Sequence, residues 1–235
     1  MSQARSRWRP HGQINAYAYN AHAGYRLPPT EPGSLTTRRF LFLTGSTRPD
    51  GNTELLARRA ADQVPADVEQ RWIDLARHPL PEFEDLRHDT DHTRPTEGNA
   101  SLLLDATLAA TDIVIASPLY WYTLSTPVKR YLDHWSGWLR TPGLDFGATL
   151  AGRTLWGVTA LAHEEREVAD PLIGALNNSA AYMGMRFGGV LLGNGSRPGD
   201  VLRDTDALTR AKTFFAREAP FARFPYEAAG ATATR

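Results

Sequence analysis

The sequence predicts an α/β domain in which a parallel sheet is covered by helices on both faces. Three observations carry this. Short apolar runs and helical stretches alternate through five strands between residues 39 and 217. The first run, Phe40-Leu41-Phe42-Leu43-Thr44, is continuously apolar instead of alternating, as a strand buried on both faces requires. The length of 235 residues suits one such domain with an additional arm. A doubly wound, three-layer sheet with right-handed crossovers follows.

Each element has its own signal. Residues 40–44 are the first strand. Residues 53–64 have helical composition, and Pro65 stops them. Residues 68–75 read as the second strand, and residues 76–96 as a long polar loop with Pro79, Pro81 and Pro95. Residues 98–110 carry Leu102, Leu103, Ala106 and Ala110 at helical spacing. Residues 112–116 are the third strand. Residues 127–139 form a helix with Val128, Tyr131, Leu132 and Trp135 on one face. Residues 154–161 are the fourth strand. Residues 164–183 read as a helix broken near Pro171, which restarts it at a first-turn position. Residues 186–192 are the fifth strand and residues 201–217 the last helix. Residues 1–38 show no period and hold Pro10, Pro28, Pro29 and Pro32. They form an arm, either loose or packed on a partner subunit through Tyr17, Tyr19 and Tyr25. Residues 218–235 form a tail, disordered from residue 228.

Composition narrows the function. Lys+Arg and Asp+Glu are both 26 and the pI is about 7.1, so no nucleic-acid or acidic-lipid partner is indicated. There is no cysteine, which excludes disulfides, thiolate metal sites, cysteine-ligated iron–sulfur clusters and a cysteine nucleophile. Redox chemistry would need a borrowed cofactor. No apolar run approaches a membrane span, and Arg5, Arg7 and Arg9 precede no signal-like segment. A cytoplasmic protein is expected.

Ligands of such sheets bind beyond the carboxyl ends of the strands. The first strand is followed by Gly45-Ser46-Thr47-Arg48-Pro49-Asp50-Gly51-Asn52-Thr53 and then a helix. Ser46, Thr47, Asn52 and Thr53 can donate hydrogen bonds, Arg48 adds a permanent charge, and a helix N-terminus attracts anions. Five residues separate Gly45 and Gly51, and Asn52 stands where a triphosphate-binding loop has lysine. The G-x-G-x-x-G fingerprint is absent too. A terminal phosphomonoester suits the loop best; the plain alternative is a strand-to-helix turn capped by Asn52 or Thr53. After the third strand comes Ser117-Pro118-Leu119-Tyr120-Trp121-Tyr122-Thr123-Leu124-Ser125-Thr126-Pro127. Ser125 or Thr126 can cap the next helix. A strand end cannot bury three consecutive aromatics, so at least one faces solvent or a flat ligand ring.

The two loops together resemble the NADPH-dependent FMN reductase family, through Gly45-Ser46-Thr47-Arg48 with Gly51-Asn52-Thr53, and Pro118-Leu119-Tyr120-Trp121 with Ser125, Pro127, Lys129 and Asp133. Leu80-Pro81-Glu82-Phe83 fits a further turn of that family. The resemblance spans about residues 39–217. It implies a flavodoxin-like three-layer sandwich with strand order 2-1-3-4-5. It implies FMN as cofactor, its phosphate held by Ser46, Arg48, Asn52 and Thr53 around Gly51. The ring would be flanked by Pro118, Leu119, Tyr120, Trp121, Tyr122 and Thr123, with Ala160 and His163 of the third loop also facing the cofactor. It implies NADPH or NADH as electron donor, a ping-pong cycle, a small acceptor such as a flavin or quinone, and a homodimer or homotetramer. It names no general acid or base and no metal.

The loop after the fourth strand, Ala160-Leu161-Ala162-His163-Glu164-Glu165, lacks the glycines that family members often have there. His163 therefore faces the flavin, the nicotinamide or the acceptor, or is an ordinary surface histidine. Tyr131, Trp135 and Trp138 belong either to the core or to a dimer interface. His88 and His92, with Asp85, Asp89 and Asp91, read as a solvated loop. Two other functions fit the same fold: a flavodoxin-type electron carrier, against which the neutral charge speaks, and a regulatory relative without cofactor, against which the donors of the first loop speak.

Overall fold

The computed structural model describes residues 37–86 and 94–228. The arm with Tyr17, Tyr19 and Tyr25, the segment holding His88 and His92, and residues 229–235 lie outside the described residues. All five expected strands form, as β1 (Arg39–Thr44), β2 (Glu69–Asp74), β3 (Asp112–Ala116), β4 (Thr154–Leu161) and β5 (Arg186–Asn194). They pair in parallel throughout, in the order 2-1-3-4-5. The helices are α1 (Asn52–Ala61), α2 (Gly98–Ala109), α3 (Thr126–Trp138), α4 (Phe146–Leu150), α5 (Asp170–Tyr182) and α6 (Thr205–Ala211).

Side chains alternate across each strand, so one continuous apolar run feeds two cores. Leu41, Leu43, Ile113, Ile115 and Leu155 pack with residues of α2, α3 and α5. Phe40, Phe42, Val114, Trp156 and Val158 pack with α1 and α6. Tyr131, Trp135 and Trp138 are core residues, meeting edge-on with Phe146 and each other at 5.4–5.8 Å. The buried Thr107 hydroxyl donates to the Leu103 carbonyl at 2.6 Å, so it is the Tyr131 hydroxyl that donates to Thr107 across 2.7 Å. Burial pushes the Tyr131 phenol up to about 12.

Three elements differ from expectation. The helix expected from residue 164 begins only at Asp170, after a 3-10 turn at Arg166–Ala169, with Pro171 in its first turn as anticipated. The helix expected over 201–217 is broken into a 3-10 turn at Asp200–Arg203, the short α6, and a second 3-10 turn at Phe214–Ala216. Asp204 causes the first break, because its carboxylate caps α6 at the Ala207 amide (2.9 Å) and also takes the Asn194 amide (2.7 Å). The second turn aims two successive rings, Phe214 and Phe215, at the same core against Trp156. The short α4 was not anticipated. It buries Phe146 and Leu150, and five residues are too few to display a period.

The chain after the last turn packs beside the start of β5. The Phe187 amide donates to the Pro220 carbonyl at 2.9 Å and the Ala222 amide to the Met185 carbonyl at 3.0 Å. Among the described residues no helix is long and apolar enough to cross a membrane.

The β4–β5 pairing shifts register between Leu155 and Gly157. There the Trp156 ring lies flat on Gly188: a Cβ on that glycine would stand 2.0 Å from Trp156 Cε3. The indole is held in place because Nε1 donates to Asp112 Oδ1 at 2.9 Å. Gly188→Ala is therefore expected to lower stability by about 2 kcal/mol, read as a lower urea midpoint at unchanged slope.

Candidate functional site

Strand order reverses between β1 and β3, and the loops that follow them meet at a crevice. Gly45 ends β1 with its amide on the Ala116 carbonyl at 2.9 Å. A Cβ there would stand 2.3 Å from Val128 Cγ2 and 2.6 Å from Ser125 Oγ, so the two loops touch at their roots only because this residue is glycine. Beyond it, Ser46 Oγ takes the Arg48 amide at 3.1 Å and shapes the turn. Gly51 is the N-cap of α1 in extended conformation, and no side chain caps the helix. The amides of Asn52, Thr53 and Glu54 are thus left as open donors at the positive end of the helix. Arg48, in the loop that leads into this helix, is exposed, and its guanidinium has no hydrogen-bond or salt-bridge partner among the described residues.

The first turn of α1 also binds its neighbours. Asn52 Nδ2 donates to the carbonyls of Gly195 and Arg197, both at 2.9 Å, and its Oδ1 faces the Val201 amide at 3.4 Å. Both amide protons of Asn52 are spent inside the protein. Thr53, buried, accepts the Ala160 amide at 3.2 Å and keeps its own proton. Asn194 Nδ2 donates to the His163 carbonyl at 2.7 Å, and the Gly195 amide to Leu161 at 2.8 Å. The loops after β1, β4 and β5 are therefore one hydrogen-bonded unit, in which His163 is exposed and its backbone tied down.

The loop after β3 is clasped at its base. Ser117, fully buried, accepts the Ser125 amide at 2.9 Å. Ser125 is the N-cap residue of α3 and makes no capping bond of its own; Pro127 sits in the first turn, as anticipated. Pro118 and Leu119 are half-buried. At the tip, Tyr120 and Thr123 exchange both backbone hydrogen bonds at 3.1 Å, closing a two-residue turn. Trp121 (φ 49°) and Tyr122 (φ 66°) occupy its centre in the left-handed region. Such a turn ordinarily selects Asn-Gly. Here it holds two bulky aromatics, with Tyr120, Trp121 and Tyr122 exposed by 52, 92 and 54 %. Packing does not explain a tryptophan that is 92 % exposed; strain of this kind marks functional sites.

Residues 38–186 match the model of the NADPH-dependent FMN reductase family. The chain belongs to the NADPH-dependent FMN reductase family. It is 32 % identical over 180 residues to YwqN of Bacillus subtilis (strain 168), named for an NAD(P)H-dependent FMN-containing oxidoreductase, covering 76 % of this chain and 97 % of that one. The solved structure of a Trp repressor binding protein from Bacillus subtilis superposes with a TM-score of 0.59 at 26 % identity, over 77 % of this chain and 99 % of the other. An NAD(P)H:quinone oxidoreductase from Methanothermobacter marburgensis shares the fold with a TM-score of 0.59 at 16 % identity, over 77 % and 98 %.

This member of the NADPH-dependent FMN reductase family is thus an NAD(P)H-dependent oxidoreductase with FMN as its cofactor. The residues present fit that group: an uncapped helix N-terminus, entered from a loop that carries an exposed arginine, suits a phosphate, and exposed aromatics on a strained turn suit a flat ring. Of the expected residues, Thr53 of the first loop meets Ala160 through a 3.2 Å hydrogen bond, His163 is joined to them through Asn194, and residues 118–123 follow β3, which pairs with both β1 and β4. Sequence reading overlooked Ser117 and Asn194, whose clasping roles depend on residues far along the chain. No group of three or more His, Asp or Glu among the described residues is placed to hold a metal.

Two outcomes follow. Asn52→Ala is expected to lower the stability of the flavin-free protein by about 2 kcal/mol, because two carbonyls and an amide lose their partner; a phosphate ligand without that bracing role would leave the flavin-free melting temperature unchanged. The double substitution Trp121→Asn, Tyr122→Gly is expected to keep or raise that temperature by relieving roughly 1–2 kcal/mol per left-handed residue, yet to weaken FMN binding in a fluorescence titration.

Proposed function

We propose that the chain carries electrons from NADPH or NADH to a small flat acceptor, such as a flavin or quinone, in two half-reactions that share one site. FMN, when bound, supplies reversible two-electron storage; the protein supplies binding, orientation and exclusion. The single observation that carries the reading is the uncapped first turn of α1 next to the unpartnered Arg48. In this reading the amides of Asn52, Thr53 and Glu54, the Thr53 hydroxyl, Ser46 and Arg48 hold the phosphate. Asn52 does so through its amide, its side chain being the brace described above. Pro118 to Thr123 and the backbone from Ala160 to His163 line the ring.

Donor and acceptor would stack in turn on the face left open by the aromatic turn, which supports a ping-pong order. The three exposed rings at that tip also support a homodimer or homotetramer that covers them in part. This reading names no general acid or base and gives the protein a positional role.

The test is direct. The protein is loaded with FMN, freed of excess by gel filtration, and its visible spectrum recorded before and after anaerobic NADPH. The expected result is a retained flavin band that bleaches, followed by parallel lines in double-reciprocal plots against a quinone acceptor. A band retained but unbleached by both NADPH and NADH would make the chain an electron carrier. Converging lines would refute the ping-pong order, and light scattering at the monomer mass would refute the oligomer.

A further inference from the structure

A cavity of about 210 Å³ opens on the β2 side of the first loop. Thr47, between Ser46 and Arg48 of the phosphate cradle, forms one edge. Pro79 and Leu80 from the loop after β2, and Pro127 from α3, make its apolar walls. His78 and Arg130 are its other polar residues.

The wall is held rigidly. Three consecutive carbonyls of the β2 loop each receive a side-chain donor from a flanking helix. Asn99 of α2 donates to Pro79 at 2.9 Å, Arg130 of α3 to Leu80 at 3.2 Å, and His134 Nε2 of α3 to Pro81 at 3.0 Å. Surface loops are normally among the more mobile parts of a fold; residues 79–81 of this one are preorganised. The chemistry of its polar lining is fixed as well. His78 Nδ1 lies 3.0 Å from the Asp74 carbonyl, and a carbonyl only accepts, so Nδ1 carries the proton. In the neutral ring Nε2 is then an acceptor, the one atom with which His78 can meet a ligand. Arg130 also pairs with Glu82, whose side chain is 86 % exposed. Such a pair contributes little and leaves the guanidinium able to share its charge with an anion.

We propose that this cavity receives the adenosine diphosphate half of a dinucleotide. The inference rests on the reading that the first loop holds a phosphate, because Thr47, which lines the cavity, lies between Ser46 and Arg48 of that loop. Flat apolar walls of two prolines and a leucine suit a purine ring. An imidazole acceptor suits the exocyclic amine of adenine, and Arg48 and Arg130 suit the phosphates. The same half-molecule occurs in a reduced nicotinamide donor and in FAD, and the experiment separates the two.

ADP is titrated calorimetrically into the FMN-loaded protein and into its Ala76→Phe variant, in which the new ring fills the cavity from a residue that lines it. One equivalent of ADP is expected to bind the loaded protein, and Ala76→Phe to weaken it about tenfold with FMN affinity unchanged. His78→Ala, a smaller change that keeps the loop intact, is expected to weaken ADP several-fold. If Ala76→Phe raises the KM for NADPH but not for reduced nicotinamide mononucleotide, the donor is the source. If it weakens FAD but not FMN, the flavin is. ADP that competes with FMN and is unaffected by Ala76→Phe occupies the cradle alone, and overturns the proposal. So does absence of binding, or binding that neither variant alters. Failure of the underlying reading shows separately, as FMN not retained before ADP is added; the titration of flavin-free protein with both variants then decides the cavity alone.

Discussion

A parallel sheet buried on both faces confines polar chemistry to the ends of its strands. Everything else in this molecule follows from that constraint. The two cores take up alternate residues of the same strands, so no face is free to carry a site. The strand order sends the chain from β1 to α1 on one face and from β3 to α3 on the other. The connections diverge and leave a crevice between them. Its width at the root is set by one missing side chain, at Gly45, where α3 comes within the space of a Cβ.

Loops that diverge need something to hold them, and here the first turn of α1 serves. Asn52 reaches across to the loop after β5, Thr53 to the end of β4, and Asn194 ties that loop back to His163. Each bond contributes about 1 kcal/mol, far less than the burial of either core. Their value is geometric: they fix backbone amides relative to one another, which is what a ligand held by amides requires. The same helix turn leaves its own amides uncapped. In the proposed reading Asn52 spends its side chain on the scaffold and offers its backbone to the ligand.

Much of this was legible in the sequence because it is local. Continuous apolar runs announce buried strands, Pro127 announces a helix start, and the donors between Gly45 and Thr53 mark the loop proposed to hold a phosphate. What was not legible depends on tertiary context. The last helix looked continuous because its composition is helical, but Asp204 and the paired Phe214 and Phe215 answer to the rest of the fold. The side chain of Asn52 looked like a phosphate ligand because its partners, Gly195 and Arg197, lie more than a hundred residues away. The tip of the aromatic loop carries no glycine or asparagine, so its left-handed turn had no sequence signal. Nor could spacing reveal that α2 and α3 would grip the β2 loop at successive carbonyls.

The two loops that flank the cradle solve opposite problems. The β2 loop is clamped from outside by helices and stores no left-handed residue among positions 75–86. The aromatic loop is clasped only at its base, by Ser117, and carries two left-handed residues at its tip. Strain of about 1–2 kcal/mol at each persists in the folded chain because the cores supply stability elsewhere. A turn of Asn-Gly would remove that cost and also remove two of the three exposed rings at the tip of this loop. In the proposed reading the arrangement is explained by what the rings meet and not by what they stabilise. Anything that binds the folded state there raises its stability through mass action, so a ligand on this turn offsets the strain that displays it.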